Sequence, residues 1–152
     1  DINSDLQLHV INEYIKDERM EEIMKAPYDY VVDAIDTLSP KIYLIYHAMK
    51  KDLKIVSSMG SGCKKDPEQV KITDISKSYN CTLARILRKK LHRLGIYEGF
   101  KVIFTSEKSP KASVKPEDSE PNKKSTVGTI SYMPAIFGCF CASVVINDLL
   151  TE

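Results

Sequence analysis

Residues 28–51, YDYVVDAIDTLSPKIYLIYHAMKK, indicate the fold class, because an apolar strand runs into two carboxylates and then into a helix. Short or β-branched apolar residues are typical of a strand in a parallel sheet that is covered on both faces. Here they are Val31, Val32, Ala34 and Ile35. We expect Ser39 to cap the following helix and Pro40 to start it. The segment therefore predicts the carboxyl edge of an open α/β sheet, where such folds bind their ligands.

Two aspartates, Asp33 and Asp36, interrupt this strand and are the candidate site residues. A carboxylate at a strand end can bind Mg²⁺ directly or through water and can help to neutralise phosphate charge. The alternative is that Asp36 caps the turn before Pro40 by accepting hydrogen bonds from backbone donors, and the local spacing leaves both interpretations open. The two aspartates lie three positions apart, so they need not share a face of the strand.

Strand and helix patterns alternate along the first part of the chain. Residues 6–10 alternate apolar and polar side chains and predict a strand, and a short helix is expected after Asp17. A helix over residues 40–51 and a strand over residues 53–57 complete a β-α-β-α-β order. Strands that alternate with helices at this spacing imply parallel pairing through right-handed crossovers.

The second part of the chain departs from this alternation. The predicted elements are a glycine-rich loop, an extended segment at 70–75, a helix at 82–94 closed by Gly95, a strand at 100–105, a short extended stretch and a final apolar helix. Residues 106–124 are rich in Lys, Ser, Pro, Glu and Asp and cannot bury a core, so we expect a mobile loop there.

The length and composition are those of one domain. With 152 residues, of which 43% are hydrophobic and 28% charged, the chain can bury one ordinary core. We divide this expected domain, residues 1–152, into a Rossmann-like β-α-β-α-β part at 1–58 and an extension at 59–152. The first residue is not methionine, and we expect the chain to be a fragment.

The formal net charge of +1 argues against a strongly electrostatic nucleic-acid binder taken as a whole. Basic residues nevertheless cluster on the predicted helix at 82–94. They are Arg85, Arg88, Lys89, Lys90, His92 and Arg93. A solvated helix face is the favoured interpretation of this cluster, and contact with nucleic acid is the alternative.

The four cysteines form no CxxC pair, which favours a reduced, cytoplasmic protein without a structural zinc site. Cys81 precedes a predicted helix, and a structural role is favoured there over a nucleophilic one. The loop at 59–62 follows a strand but lacks the GxGxxG and GxxxxGK[ST] patterns. A tight turn is therefore favoured over a phosphate-binding loop.

Residues 133–146, MPAIFGCFCASVVI, are apolar nearly all round, yet they fall short of the roughly 20 residues that a membrane-spanning helix needs. We expect a helix that is buried in protein, either inside the domain or against a second subunit, and no contact with a membrane. Cys139 and Cys141 lie two apart, on different helix faces, and are expected to be small core residues.

Five segments carry a resemblance to a known family: YVVDAIDTLSPK, KIVSSMGSGCKKDPEQVKITDISKS, LARILRKKL, KVIFTSE and GTISYMPAIFG. In this order they resemble the C-terminal part of the ThiF/MoeB/HesA superfamily, which shares the fold of ubiquitin-activating enzymes. The chain is most similar to the tRNA threonylcarbamoyladenosine dehydratase branch. The resemblance covers nearly the whole chain, and DAID and ITDISK are its most specific parts.

The resemblance implies an α/β fold that binds ATP and Mg²⁺ and activates a carboxylate by adenylation, usually as a homodimer. In the dehydratase branch, the implied reaction is the ATP-dependent dehydration of threonylcarbamoyladenosine in tRNA to its cyclic form. Asp36 matches the aspartate beside the ATP phosphates and Mg²⁺, and it is the expected catalytic and metal-binding residue. Residues 11–14 match the region that lies against the adenine, so Asn12 and Tyr14 join Asp36 and Asp33 as expected cofactor-binding residues.

The sequence also departs from the family pattern. The glycine-rich nucleotide loop and the phosphate-holding arginine and lysine would precede this chain, which is expected to be inactive alone. The CxxC pairs of the sulfur-carrier-activating members are missing, which disfavours those branches. Two alternatives stay open: adenylation of the C-terminus of a ubiquitin-like or sulfur-carrier protein, and a non-catalytic fragment that dimerises through residues 133–150. A sulfur-transfer protein is a further candidate partner.

Overall fold

The computed structural model describes residues 3–108, 114–116 and 125–151. The helices are α1 (Asp17–Ile23), α2 (Leu38–Lys50), α3 (Thr82–His92) and α4 (Tyr132–Leu150). The strands are β1 (Val31–Asp33), β2 (Ile55–Ser58), β3 (Val70–Asp74), β4 (Lys101–Thr105), β5 (Val114–Pro116) and β6 (Ser125–Val127).

Four strands form a mixed sheet in the order β1-β2-β4-β3. β1 pairs with β2 in parallel, and β2 pairs with β4 in parallel. β3 closes the other edge by pairing with β4 in the antiparallel direction. The predicted α/β class with a mixed extension is therefore confirmed, and strands from both predicted parts of the chain share one sheet.

Helices cover both faces of this sheet and define two apolar cores. On one face α1, α2 and α3 pack with the sheet, and the fully buried side chains there include Ile45, Ala48, Ala84, Leu87, Leu91, Val102 and Phe104. On the other face α4 packs against β2, β3 and β4 through a cluster of Val56, Val70, Ile103, Met133, Phe137, Cys141 and Val144. Each central strand thus contributes alternate residues to the two cores, as the period of a strand requires.

The segment from β1 to α2 follows the prediction with shifted ends. β1 ends at Asp33 rather than Ile35. Val32 is 50% exposed, so the prediction that this strand is covered on both faces is wrong at that position. The N-cap of α2 is Thr37, so the predictions of a Ser39 cap and a Pro40 start are wrong. Pro40 instead lies inside the first turn, where backbone N–H groups have no intrahelical acceptor and proline is tolerated.

Residues 6–10 do not form the predicted strand. Leu6, Leu8 and Val10 are all strongly exposed, and no described strand pairs with them. A strand is stabilised by hydrogen bonds to a neighbour, so the alternating pattern alone is not sufficient. The helix expected after Asp17 is present as α1, with Met20 buried in the first core.

The second half of the chain contains the predicted extended segment, helix and strand as β3, α3 and β4. α3 ends at His92, and Gly95 follows with a φ of +80°. The backbone N–H of Ile96 donates to the carbonyl of Leu91 at 3.0 Å, which satisfies one of the final carbonyls of the helix. The predicted closure of this helix by Gly95 is therefore correct.

The final apolar helix, α4, is less buried than predicted. It has 19 residues, and its most apolar window has a mean hydropathy of 1.7 with 22% of that window buried, so by length and composition alone it could cross a membrane. One stripe of α4 nevertheless packs on the sheet, and core helices of soluble proteins can be equally long and apolar. Cys141 lies in this stripe, whereas Cys139 is exposed, which corrects the prediction that both are core residues.

The predicted mobile loop at 106–124 lies largely outside the described residues. Within it, residues 114–116 form β5, which pairs in the antiparallel direction with β6, so this part is strand rather than loop. β6 corresponds to the short extended stretch that was expected before the apolar helix.

Candidate functional site

The candidate site lies at the edge of the sheet where the parallel strands β1 and β2 end. Asp33 is the last residue of β1, and Ser57 and Ser58 end β2 beside it. The register places Asp33 next to Ser57. Both side chains have no exposed surface, so this edge is built on buried polar groups.

A buried ion pair holds this edge together. Lys41, in the first turn of α2, places its Nζ 2.6 Å from Oδ2 of Asp33, and both side chains are fully buried. The hydroxyl of Ser57 donates to the same carboxylate oxygen. A buried charge is tolerated only when it is paired and hydrogen-bonded, and both conditions are met here.

The ammonium of Lys41 also bonds two backbone carbonyls. It donates to the carbonyl of Ile35 at 3.1 Å and to the carbonyl of Ser58 at 2.7 Å. With the contact to Asp33, all three of its hydrogens have acceptors. Burial lowers the pKa of Lys41, and the facing Asp33 carboxylate opposes that shift. The ammonium of Lys41 therefore bonds the end of β1, the following turn and the end of β2 at the same time.

Asp36 is presented from a fixed backbone. Its neighbour Ile35 donates its N–H to Oδ1 of Asp33 at 3.0 Å, while the carbonyl of Ile35 accepts from Lys41. The side chain of Asp36 is exposed, one residue before the N-cap of α2. The two predicted aspartates thus have different environments: Asp33 is enclosed and Asp36 faces outward.

These environments favour different roles. The contacts of Asp33 favour a positioning role over the direct cofactor contact that was predicted, since its carboxylate is enclosed by Lys41, Ser57 and Ile35. Asp36 is exposed at this edge, and its contact with a ligand stays a prediction. The structure places Thr37, not Asp36, at the N-cap position, although Asp36 does have a contact of its own.

Asn12 and Tyr14, the candidates for contact with adenine, are both exposed. Their segment is held to α1 by Arg19, whose Nε and Nη2 bond one carboxylate oxygen of Glu13 at 2.9 and 2.6 Å. The hydrogen bond from Arg19 lowers the pKa of Glu13. An exposed aromatic ring on an anchored segment is compatible with stacking on a base, and this contact stays a prediction.

The loop after β2 and the start of α3 continue the same edge. The backbone N–H of Met59 donates to the carbonyl of Ile103 at 2.8 Å, so the loop begins with a turn that is fixed on β4. Cys81 is the N-cap of α3, and its sulfur accepts from the N–H of Ala84 at 3.5 Å. Cys81 is 8% exposed, which agrees with the structural role favoured for it.

The donor set at this edge is suited to Mg²⁺ only in the presence of a nucleotide. Within the described ranges there is no group of three or more His, Cys, Asp or Glu side chains that could hold a metal ion. Mg²⁺ commonly uses one or two carboxylates and completes its shell with substrate phosphates and water. One exposed carboxylate, Asp36, beside a nucleotide would satisfy that pattern, so the residues present are compatible with Mg-ATP.

A sequence model of the ThiF family matches residues 1–152 of this chain. The chain belongs to the ThiF family. The superfamily predicted from the ordered motifs is therefore confirmed, and the carboxyl-edge geometry described above is the geometry of a ThiF-family chain.

Within the ThiF family, this chain is similar to several tRNA threonylcarbamoyladenosine dehydratases. The tRNA threonylcarbamoyladenosine dehydratase of Bacillus subtilis is 32% identical over 160 residues, which cover 100% of this chain and 63% of the relative. The crystal structure of E. coli tRNA N6-threonylcarbamoyladenosine dehydratase in complex with ATP shares the fold, with a TM-score of 0.85 and 24% identity over 99% of this chain and 59% of that chain. The AMP complex of the same enzyme gives a TM-score of 0.83 at 25% identity, over 99% and 60% of the two chains. This chain therefore spans less than two thirds of these relatives.

Sequence reasoning missed Lys41, although a signal for it exists. Lys41 falls on the same helical stripe as Ile45 and Ala48, four and seven positions later, and both of these are fully buried. A lysine on the apolar stripe of a helix needs a buried partner. The nearest acidic residues before the helix are Asp33 and Asp36, so the pair could have been predicted from this pattern.

Proposed function

We propose that this chain is part of an ATP-dependent tRNA threonylcarbamoyladenosine dehydratase, which forms the cyclic modified base. The observation that carries the proposal is the Lys41-braced sheet edge, which presents Asp36 outward at the position where an α/β fold binds its ligand. The names and the coverage of the relatives support this substrate class.

In the proposed reaction, the substrate carboxylate would receive an adenylyl group from bound ATP, with release of pyrophosphate. The resulting mixed anhydride would lose AMP when the ring closes. Asp36 would hold Mg²⁺ against the nucleotide phosphates, and Asn12 and Tyr14 would contact the adenine. Asp33 and Lys41 would act through the backbone by keeping Ile35, and hence Asp36, at a fixed distance from the end of β2. Preorganised charge of this kind is effective because no reorganisation is needed during the reaction.

The direct test places Asp36→Asn in the full-length protein and follows AMP formation and cyclic product with modified tRNA. We expect turnover to fall by about 100-fold or more, as for the loss of one preorganised electrostatic group. Asp29→Asn is the matched control, because Asp29 is exposed and precedes the opposite end of β1. Turnover that is unchanged in Asp36→Asn would remove this residue from the mechanism.

The same assay separates the proposed function from its alternatives. Pyrophosphate exchange that depends on a protein ending in Gly-Gly, and not on modified tRNA, would instead identify a ubiquitin-like or sulfur-carrier substrate. Absence of AMP formation by the wild type with either substrate would support the non-catalytic fragment. For the chain of residues 1–152 alone, we expect no turnover.

We further propose that the protein works as a homodimer in the cytoplasm, where its tRNA substrate is found. The outer face of α4 supports an apolar contact, since Ile146, Leu149 and Leu150 are 57%, 42% and 78% exposed. An exposed apolar surface of this kind is typical of an interface. Sedimentation velocity of the full-length protein tests the dimer, and a sulfur-transfer partner stays a prediction.

A further inference from the structure

Positive charge is concentrated on α3. The chain has a formal net charge of +1, yet the segment from Thr82 to Arg93 contains five arginine and lysine residues and no acidic residue. Four of them are exposed: Arg85, Lys89, Lys90 and Arg93. We call these four side chains, together with the exposed Lys108, the basic face.

The basic face is opposite the buried side of the helix. Ala84, Leu87 and Leu91 fix α3 on the first core, and Arg85, Lys89 and Arg93 follow one another at i, i+4 and i+8 on the outer side. At 1.5 Å per residue, this row extends for about 12 Å. None of the five side chains of the basic face has an ion pair with a described acidic residue.

This arrangement differs from that of an ordinary solvated helix. Surface helices usually place acidic residues three or four positions from basic ones, and like charges at that spacing are destabilising. α3 repeats like charges at i, i+4 and i+8 without acidic neighbours on the helix. An unbalanced row of cations is the electrostatic pattern of a surface that binds a polyanion.

A pocket lies beside the basic face, at the start of α3. Its volume is about 400 Å³, and its lining includes Asn80, Arg85, Arg88 and Lys108. Arg88 is fixed in place, because it donates to the carbonyl of Ser78 at 2.8 Å. The pocket is polar and carries three cations, which suits the binding of a phosphate group.

The position of the pocket follows from two contacts. The side-chain amide of Asn80 donates to the carbonyl of Ser106, directly after the carboxyl end of β4, at 3.1 Å. A side chain at Gly60, just after β2, would meet Leu83 in the first turn of α3 at 3.9 Å. Since β1, β2 and β4 are parallel, the start of α3 lies at the same sheet edge as Asp36.

We propose that the basic face and its pocket bind the phosphate backbone of an RNA strand and guide that strand toward the sheet edge at Asp36. This inference rests on the proposed function, because it assigns the docking surface of the tRNA substrate. Phosphate contacts set position rather than sequence preference, so the basic face would hold tRNA without reading its bases. The formal net charge of the chain is close to zero despite the basic face, because the remaining segments are acidic overall.

The test measures binding of the full-length protein to unfractionated tRNA at several salt concentrations, with Lys89→Glu/Arg93→Glu as the variant. We expect the affinity to fall more than about tenfold and the slope of log K against log salt to decrease by roughly two, because two phosphate contacts are lost. The milder Lys89→Gln/Arg93→Gln variant should show a smaller loss in the same direction. Thermal unfolding of both variants checks that α3 is still folded.

The matched control is Lys16→Glu/Lys25→Glu, which changes the net charge equally at two exposed lysines beside α1. This control should keep the wild-type slope. An equal loss in both charge-reversal variants would overturn the proposal, because net charge alone would then explain it. A loss of ATP affinity without a loss of tRNA affinity would also overturn it, by assigning the pocket to a nucleotide.

The outcomes also separate this inference from the proposed function. If the wild type forms the cyclic base and Lys89→Glu/Arg93→Glu binds tRNA normally, the proposed docking of tRNA on the basic face is wrong and the proposed dehydratase activity is supported. If tRNA binding depends on the basic face but no cyclic base forms, the proposed activity is wrong and the docking proposal is supported. For both to be correct, the variant must raise KM for tRNA while kcat at saturating tRNA is unchanged.

Discussion

Nζ of Lys41 lies 2.6 Å from Oδ2 of Asp33, and neither side chain has any exposed surface. Removing one partner of such a pair leaves an uncompensated buried charge, which typically costs about 3–5 kcal/mol. We therefore expect Lys41→Met to lower the free energy of unfolding by about this amount. Urea denaturation of the full-length protein, followed by circular dichroism, measures the change.

The double variant Lys41→Met/Asp33→Leu is the control for this pair. Because it removes both charges, its free energy of unfolding should lie closer to that of the wild type than that of Lys41→Met does. A double variant that is less stable than either single variant would show that packing and the hydrogen bonds from Ser57 and Ile35 to Asp33, rather than its charge, dominate.

Two glycines should respond in opposite directions to substitution by alanine. Gly95 has a φ of +80° and nothing near its would-be Cβ, so Gly95→Ala meets backbone strain alone and should cost about 1–2 kcal/mol. Gly138 lies inside α4 with the same open space, and Gly138→Ala should stabilise by about 0.5–1 kcal/mol. Urea denaturation of both variants tests the pair, and equal effects would contradict the left-handed assignment of Gly95.

Asp148 gives a pH dependence to the attachment of α4. The ammonium of Lys101 lowers the pKa of Asp148, and the hydroxyl of Tyr30 donates to the same carboxylate at 2.8 Å. The pKa of Asp148 is lower in the folded state than in the unfolded state. Its ion pair with Lys101 therefore contributes fully to stability above the unfolded pKa of about 3.9, and this contribution is lost as the pH falls through the folded pKa. Asp148→Asn should therefore cost roughly 0.2–1 kcal/mol at neutral pH and nothing in strong acid.

A pH series of urea denaturation curves measures this difference. The wild type and Asp148→Asn should converge as the pH falls below the folded pKa of Asp148. If the difference in the free energy of unfolding between the two proteins stays constant over the whole pH series, then packing of the Asp148 side chain, and not its charge, stabilises α4 at this point.

The two cysteines of α4 should differ in reactivity. Cys141 is 5% exposed and burial raises the pKa of its thiol, whereas Cys139 is exposed. Since the thiolate is the reactive form, a thiol reagent should modify Cys139 first and Cys141 only on unfolding. Cys139→Ser identifies the fast phase. Because the half-buried Cys63 can also react, peptide mapping assigns the labelled thiols, and rapid labelling of Cys141 in that variant would contradict the packing of α4.

The spacing of apolar residues correctly predicted the helices and strands that have one face buried in the core. α2, α3 and β4 each carry enough apolar residues at helical or strand spacing to be recognised, and Gly95 marked the end of α3. The predicted strand at residues 6–10 was wrong because an alternating pattern indicates an apolar face but does not show that a neighbouring strand is present to pair with it. No described strand pairs with those residues.

The candidate site was predicted in part. The carboxylate most suited to reach a ligand, Asp36, was recognised from its position at a strand end, and its role as a ligand stays a prediction. The bracing of that strand end was not recognised. The apolar stripe of α2 indicated that Lys41 needs a buried partner, but nothing in the sequence indicated that Ser57 of β2 contacts the same carboxylate. A network that joins three elements depends on their relative placement, which single-segment patterns do not contain.

The sheet order has a consequence for synthesis of the protein on the ribosome. β3 is made before β4, which is its one partner among the described strands, and the second edge of β2 also pairs with β4. β1, α2 and β2 can close their short crossover as soon as they emerge, whereas two strand edges stay open until residues 101–105 have left the ribosome. The nascent chain is therefore most exposed to wrong pairing in the interval between the emergence of β2 and that of β4.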